Sequence, residues 1–129
     1  MKKITNDWLI SAESDLHLIH KIIEEDSLTH LSAFHVQQVI EKSFKAIIEE
    51  FELGSIKTHS LETLYNKVKD KLTVTIDFDI LVLLDQLYID SRYPGEFGLL
   101  PNGKPTLPEA KEFCSFGELL FGAAKTVCK

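Results

Sequence analysis

Apolar residues recur at steps of three and four along most of the chain, the pattern of helices that bury one face. A first helix is predicted over about residues 7–25, with Asn6 or Asp7 as its cap. A second is predicted over about residues 31–53, with Gly54 as its stop signal. The two longest periodic runs of the chain are therefore both helical.

Shorter periodic runs follow in the middle of the chain. A third helix is predicted to begin at a cap formed by Thr58 or Ser60. Residues 73–76 have β-type composition, but the run is short and has no partner strand, so it is interpreted as a connection. A fourth helix is predicted to begin at Asp77 or Asp79.

The chain changes character after the fourth helix, because three of the six glycines and all four prolines lie between Pro94 and Pro108. Proline removes a backbone donor and fixes φ, so this stretch is predicted to be a loop. Pro108 suits the first turn of a last helix. Gly117 and Gly122 in that helix either weaken it or let another helix approach closely. Helices with short connections predict an all-α fold: one domain over residues 1–129, an up-and-down antiparallel bundle of four to five helices.

The overall charge narrows the classes of function. The formal net charge is −6 and Arg92 is the only arginine, which argues against a broad nucleic-acid surface but leaves room for a small basic pocket. Two cysteines without CxxC spacing predict neither a disulfide framework nor a zinc site. No apolar run approaches the roughly 20 residues of a membrane span, and no signal-peptide core opens the chain. A cytoplasmic protein that does not enter a membrane is expected.

Polar residues on the second helix form the first candidate site. Gln38, Lys42 and Lys45 share one face, and His35 lies at its edge. Two ammonium groups, an amide and an imidazole are suited to binding a phosphate or a carboxylate. A salt bridge from Glu41 to either lysine is an alternative use of the same face, and a solvated surface is another.

Gln37 lies within the apolar arc of the second helix. A buried amide costs several kcal/mol unless it is hydrogen-bonded. We therefore expect Gln37 to have a hydrogen-bond partner, with a structural bond to a neighbouring helix as the simplest case.

Two further candidates lie near helix ends. His59 precedes the third helix, where the helix dipole attracts anions, although a capping or packing role also fits. Arg92 and Tyr93 follow the fourth helix and offer a planar fork for phosphate and a ring for base stacking. A C-terminal cap before Pro94 is the alternative interpretation.

The remaining chemistry is sparse. His17 and His20 are spaced for metal binding on a helix, but no third ligand is evident beside them, so no metal site and no cofactor are predicted. No glycine-rich phosphate loop occurs, and no nucleophile stands beside an evident base, so no catalytic residue is assigned.

Four motifs follow one another along the chain. They are Trp8-Leu9-x-x-Ala12-x-x-x-Asp15-Leu16, His35-x-x-Gln38-x-x-Glu41-Lys42-x-x-Lys45-Ala46, His59-x-Leu61-x-x-Leu64 and Tyr88-x-x-x-Arg92-Tyr93-Pro94. Together they resemble the HEPN family, the higher-eukaryote and prokaryote nucleotide-binding domains. The resemblance spans nearly the whole chain and implies a helical bundle, often a homodimer. It also implies nucleotide binding and pairing with a minimal nucleotidyltransferase, often as a toxin–antitoxin system.

A large branch of that family consists of metal-independent ribonucleases with an Arg-x(4–6)-His motif. No histidine follows His59 in this chain, so the motif is absent and that route to catalysis is not expected. The leading hypothesis is a module that binds a nucleotide or similar anion through Lys42, Lys45, His59 and Arg92, with Tyr93 stacking and His35 and Gln38 orienting them. The alternatives are a ribonuclease that recruits a histidine from elsewhere and a purely structural dimerisation bundle.

Overall fold

Helices carry most of the chain that the computed structural model describes, which is residues 1–90 and 104–129, without the side chain of Asp90. They are α1 (Lys3–Ile22), α2 (Thr29–Phe51), α3 (Leu61–Val68), α4 (Phe78–Asp90) and α5 (Leu107–Val127). Short 3₁₀ turns at Asp26–Leu28 and Lys69–Lys71 precede α2 and follow α3. No strand occurs among these residues, which confirms the predicted all-α bundle and the interpretation of residues 73–76 as a connection. Most of the predicted proline-rich loop lies outside the described residues.

The first helix begins earlier than predicted, so the expected cap at Asn6 or Asp7 was wrong. The backbone amide of Lys2 donates to Glu50 Oε1 at 2.9 Å, and its ammonium group donates to the Glu49 carbonyl at 3.0 Å. These contacts fix the chain before α1 against the end of α2. No side-chain cap is present at this end of α1, so a tertiary contact determines where the helix starts.

The end of α2 lies just before the predicted stop signal. Glu52 adopts a left-handed conformation with φ 52°, and the backbone amide of Leu53 donates to the Ile48 carbonyl at 3.0 Å. Gly54 follows with φ 120°, a conformation that residues with a Cβ rarely adopt. The turn that ends α2 is thus shared between Glu52 and Gly54.

Side-chain caps define the starts of the last two helices. Asp77 Oδ1 accepts from the Asp79 amide at 3.1 Å at the start of α4. Thr106 and Glu109 form a reciprocal capping box at the start of α5, with distances of 3.2 and 2.8 Å, and Pro108 lies in the first turn as predicted. Such a box satisfies two backbone donors that a helix end leaves unpaired.

Helix α2 is the centre of the bundle and contacts each of the other four helices. The apolar spacing of this helix predicts one buried face, and its members Ala33, Val36, Ile40, Phe44 and Ile47 are fully buried, whereas Phe51 at the end of the helix is 37% exposed. Burying a large apolar side chain stabilises the fold by about 1.5–3 kcal/mol, so this helix dominates the core. The buried apolar residues opposite it include Leu9, Ala12, Leu16 and Ile19 of α1 and Phe113, Leu120 and Ala124 of α5.

Glycine at position 117 permits the close contact between α5 and α2. A Cβ at that position would lie 3.1 Å from Val36 Cγ1, whereas a Cβ at Gly122 would meet nothing within 4 Å. The predicted close approach therefore applies to Gly117 alone. None of the described helices combines the length and apolar character needed to cross a bilayer.

Candidate functional site

A stripe of three polar side chains runs along the buried side of α2. Gln37, Glu41 and Lys45 follow one another at four-residue steps and are at most 6% exposed. We call them the α2 polar stripe. Because unpaired polar groups in such surroundings are costly, their partners determine how this part of the bundle is arranged.

Gln37 links α2 to the segment before α3. Its Nε2 donates to the backbone carbonyl of His59 at 2.9 Å and to Glu41 Oε1 at 3.2 Å. The side-chain oxygen Oε1 of Gln37 accepts from Gln38 Nε2 at 2.6 Å. The prediction that Gln37 is buried and hydrogen-bonded is confirmed, but its partner outside α2 is the segment before α3 and not a neighbouring helix.

Glu41 is the hub of the stripe. Its carboxylate accepts from Lys45 Nζ at 2.9 Å and lies 3.2 Å from His59 Nδ1. The Lys45 side chain is only 8% exposed, and its ammonium group lies 5.4 Å from the centre of the Trp8 ring. Lys45 is therefore enclosed by Glu41 and Trp8, which is the salt-bridge alternative that the sequence left open for this lysine.

A second ion cluster connects α2 to α1. Asp15 Oδ2 accepts from Lys42 Nζ at 2.6 Å, and Asp15 Oδ1 lies 3.1 Å from His35 Nδ1. Burial raises the pKa of Asp15, but the hydrogen bond with His35 and the charge and hydrogen bond of Lys42 outweigh it, so the pKa lies below its ordinary value. Lys42 thus neutralises a carboxylate of α1 that the sequence analysis named as part of a motif but gave no role.

Four rings form a continuous row across the bundle from α2 to α4. Phe34 meets His35 edge-on at 5.3 Å between ring centres and stacks on Tyr88 at 5.7 Å. The Tyr88 ring in turn lies 5.2 Å from that of His59. We call these four residues the aromatic row. It brings together two of the predicted histidines, which come from positions 24 residues apart in sequence.

The start of α3 is held by a carboxylate from α4. Asp85 accepts from the backbone amides of Leu61 and Glu62 at 2.8 and 3.2 Å and from Ser60 Oγ at 3.3 Å. Ser60 Oγ also accepts from the Thr63 amide at 3.2 Å, which confirms Ser60 as a cap of α3. Since side chains of the protein already accept from these amides, the N-terminus of α3 does not offer a ready anion site.

The pKa of Asp85 is shifted in the opposite direction from that of Asp15. Burial raises the pKa of Asp85, and the hydrogen bonds from Leu61, Glu62 and Ser60 only partly offset it. The carboxylate therefore anchors α3 while its charged form remains less favourable than in water.

An open cleft lies beside the aromatic row. It has a volume of about 190 Å³. We call it the His59 cleft; its lining residues are His59, Ser60, Glu62, Asp85, Tyr88 and Ile89. The His59 side chain is 57% exposed, whereas the Glu41 side chain that it contacts is 5% exposed. An exposed aromatic ring is therefore held in place by a buried carboxylate.

The structure brings some of the predicted site residues together and separates others. His35 and His59 join through the aromatic row, and Gln38 joins His59 through Gln37. Lys42 points to α1 and Lys45 is enclosed next to Trp8, so these two lysines serve different clusters. The predicted residues Arg92 and Tyr93 lie outside the described part of the chain.

Sequence reasoning gave no role to five residues that build the site: Asp15, Phe34, Glu41 as a hub, Asp85 and Tyr88. Asp15 carried a signal, because it is an acid next to Leu16 on the helix face that packs on α2. Periodicity places such residues on a face but does not identify the partner on another helix.

Comparison with known families identifies a match over nearly the whole chain. The model of the HEPN domain matches residues 5–126. No curated protein and no solved structure gives a significant match.

Proposed function

Because this chain belongs to the HEPN domain family, we propose that it is a binding module for a nucleotide, and that the base enters the His59 cleft. The observation that carries this proposal is the exposed His59 ring beside Tyr88, backed by the buried Glu41 carboxylate. Nucleobases stack on such rings because every base presents a π-face.

The size and lining of the cleft support a base rather than a phosphate. Its volume of about 190 Å³ is below the roughly 300–1,000 Å³ of complete ligand sites, so it fits part of a nucleotide. The carboxylates of Glu62 and Asp85 line it, and they repel phosphate but accept hydrogen bonds from the amino groups of a base. We therefore assign the phosphate to a position outside the cleft.

Residues that do not line the cleft complete the proposed site. Arg92 follows Tyr88 by four positions in sequence, is the only arginine, and is assigned to the phosphate, with Tyr93 as a second stacking ring. Lys42 and Lys45 are assigned an indirect role, because each is already paired with a carboxylate that holds a histidine. His35 and Gln38 fix the wall of the cleft through Phe34 and Gln37.

We also propose the assembly that membership of the family implies: a homodimer that pairs with a minimal nucleotidyltransferase in a toxin–antitoxin-like system. Light scattering on the purified protein tests the dimer. Co-purification with a co-expressed nucleotidyltransferase encoded beside it tests the pairing. A monomer that does not associate with that protein would remove this part of the proposal and leave nucleotide binding to its own test.

Calorimetric titration with ATP, GTP, AMP and adenosine tests the binding function. Tyr88→Leu keeps apolar volume but removes the ring, and stacking is worth about 1–3 kcal/mol per base. We expect affinity to fall by roughly 5- to 150-fold, since each 1.4 kcal/mol is about tenfold. Arg92→Ala should weaken ATP more than adenosine.

The matched control is His17→Ala, which removes an exposed histidine of α1 that does not line the cleft, and this variant should bind as the parent protein does. Absence of heat with every nucleotide, or equal affinity in Tyr88→Leu and His17→Ala, would refute binding in the cleft.

One observation favours a second candidate, a ribonuclease without the usual motif. The rings of His59 and Tyr88 are in contact, and Tyr88 lies on the helix that precedes Arg92 in sequence. In this second proposal His59 would supply the acid–base group that is missing downstream of Arg92. Cleavage of RNA by the purified protein, abolished by both His59→Ala and Arg92→Ala, would support this function. Intact RNA after prolonged incubation would exclude it.

If the protein neither binds nucleotides nor cleaves RNA, a purely structural dimerisation bundle is the function that remains.

A further inference from the structure

Three side chains with metal-binding atoms converge between α1 and α5, on residues separate from those of the His59 cleft. They are His20 near the end of α1 and Cys114 and Glu118 one turn apart on α5. A nitrogen, a sulfur and an oxygen from these residues all lie within 4.8 Å of one another. No metal site was predicted from the sequence, because His17 and His20 had no evident third ligand; the fold supplies two ligands from the other end of the chain.

The separations between these atoms suit a single ion. Cys114 Sγ lies 3.3 Å from Glu118 Oε1, and His20 Nε2 lies 3.7 Å from Glu118 Oε2. Around tetrahedral zinc, with Zn–S of about 2.3 Å and Zn–N of about 2.0–2.1 Å, neighbouring ligand atoms are about 3.5 Å apart. Small side-chain rotations would therefore centre the three atoms on one ion.

Exposure leaves room for these rotations. The side chains of His20 and Glu118 are 53% and 49% exposed, so both are free to turn toward an ion from the solvent side. Cys114 is 5% exposed and fixes the inner end of the cluster within the core. The buried thiol of Cys114 is thus the fixed ligand, and the exposed side chains of His20 and Glu118 are the adjustable ones.

We propose that His20, Cys114 and Glu118 form a binding site for Zn²⁺, with a water molecule as the fourth ligand. Thiolate and imidazole ligands favour zinc over magnesium and calcium, which prefer oxygen. Binding replaces the thiol proton of Cys114, which passes to the buffer, and forms bonds from zinc to sulfur, nitrogen and oxygen. The ion would link the end of α1 to the middle of α5.

Titration of the metal-free protein with Zn²⁺, followed by calorimetry, tests the site. We expect one ion per chain and a higher melting temperature with zinc than without, because the ion binds the folded state. Titration with Co²⁺ should give a thiolate-to-metal charge-transfer absorption that is missing in Cys114→Ser. Changes around a metal ligand commonly cost 10- to 100-fold in affinity, so His20→Ala and Glu118→Gln should each weaken binding at least tenfold.

Two matched controls separate this site from adventitious binding. His17→Ala removes the neighbouring exposed histidine of the same helix, and Cys128→Ser removes the other buried thiol. Both variants should bind Zn²⁺ as the parent protein does. If Cys114→Ser fails to fold, His20→Ala still decides, because that side chain is half exposed.

Unchanged zinc affinity in His20→Ala, loss of binding in His17→Ala, or no binding by the parent protein would each overturn the proposal. Nucleotide affinity does not enter any of these measurements, so this site and the His59 cleft fail or stand separately.

Discussion

The α2 polar stripe and the His59 cleft adjoin at His59, yet their polar groups are satisfied in different ways. In the stripe, Gln37, Glu41 and Lys45 are at most 6% exposed and bond to protein groups. In the cleft, the His59 side chain is 57% exposed; its Nδ1 lies 3.2 Å from the Glu41 carboxylate, and its ring lines the cleft beside Tyr88. The buried region fixes geometry, and the exposed region beside it is where we propose that a ligand binds.

The difference also explains why counting cations on a helix face does not locate an anion site. Lys42 and Lys45 lie on α2 at a spacing that suits one ligand, but each is paired with a different carboxylate. Lys45 is the buried member of the two, and a buried cation without a counter-charge is very costly, so the Glu41 carboxylate offsets the charge of Lys45 in the core.

The largest expected effect comes from breaking the stripe at Glu41. Glu41→Gln keeps the size of the side chain but leaves the Lys45 ammonium buried without a counter-charge. We expect a loss of about 3–5 kcal/mol in the free energy of unfolding, measured by urea denaturation.

Two variants bracket that result. Glu41→Gln combined with Lys45→Met removes both charges and should recover much of the stability, because apolar replacement of a buried pair is often neutral. Glu13→Ala, an exposed acid on α1, should stay within about 0.5 kcal/mol of the parent protein. Equal stability of Glu41→Gln and Glu13→Ala would show that Lys45 does not depend on Glu41.

A smaller effect is expected at the second ion cluster. Asp15→Asn removes the charge that holds His35 and Lys42, and hydrogen bonds to charged groups contribute about 1.5–3 kcal/mol each before partial replacement by the amide. We expect a net loss of about 1–3 kcal/mol at neutral pH.

The pH dependence of this loss provides a check on its cause. Since the pKa of Asp15 lies below its ordinary value of 3.8, its ionisation stabilises the fold above that pH. The contribution is lost as the pH falls through the lowered pKa. The stability difference between the parent and Asp15→Asn should therefore shrink below about pH 3.8; a difference that is constant with pH would contradict the charge-based explanation.

The smallest effect on stability, and the sharpest contrast, is expected at His59. His59→Ala removes a half-exposed ring but keeps the backbone carbonyl that accepts from Gln37, and Glu41 retains Lys45. We expect at most about 1 kcal/mol of destabilisation, the usual limit for an exposed ion pair. Nucleotide affinity should nevertheless fall at least fivefold. A variant as unstable as Glu41→Gln would place His59 in the buried framework instead.

Much of the fold was predictable because it depends on local pattern. The apolar face of α2, the burial of Gln37, the connection at residues 73–76 and the first turn of α5 all follow from spacing and cap chemistry. The start of α1 was not predictable in this way, because it depends on a contact between Lys2 and Glu50 across the bundle.

The candidate site was predictable only in part, for a related reason. The sequence indicated His35, Gln38 and His59 as polar residues near one another, but not that Tyr88 would join the histidines or that Asp85 would occupy the start of α3. Those relations depend on which helix ends meet. The zinc-binding cluster illustrates the same limit, since its ligands come from opposite ends of the chain.

The position of the bound base is the most direct test of the central claim. Titration of isotope-labelled protein with AMP, followed by NMR, reports which residues contact it. We predict that the signals of His59, Ser60 and Tyr88 shift together and saturably, while those of His20 and Cys114 do not change. Shifts confined to other surfaces, or none at saturating AMP, would contradict nucleotide recognition by the His59 cleft.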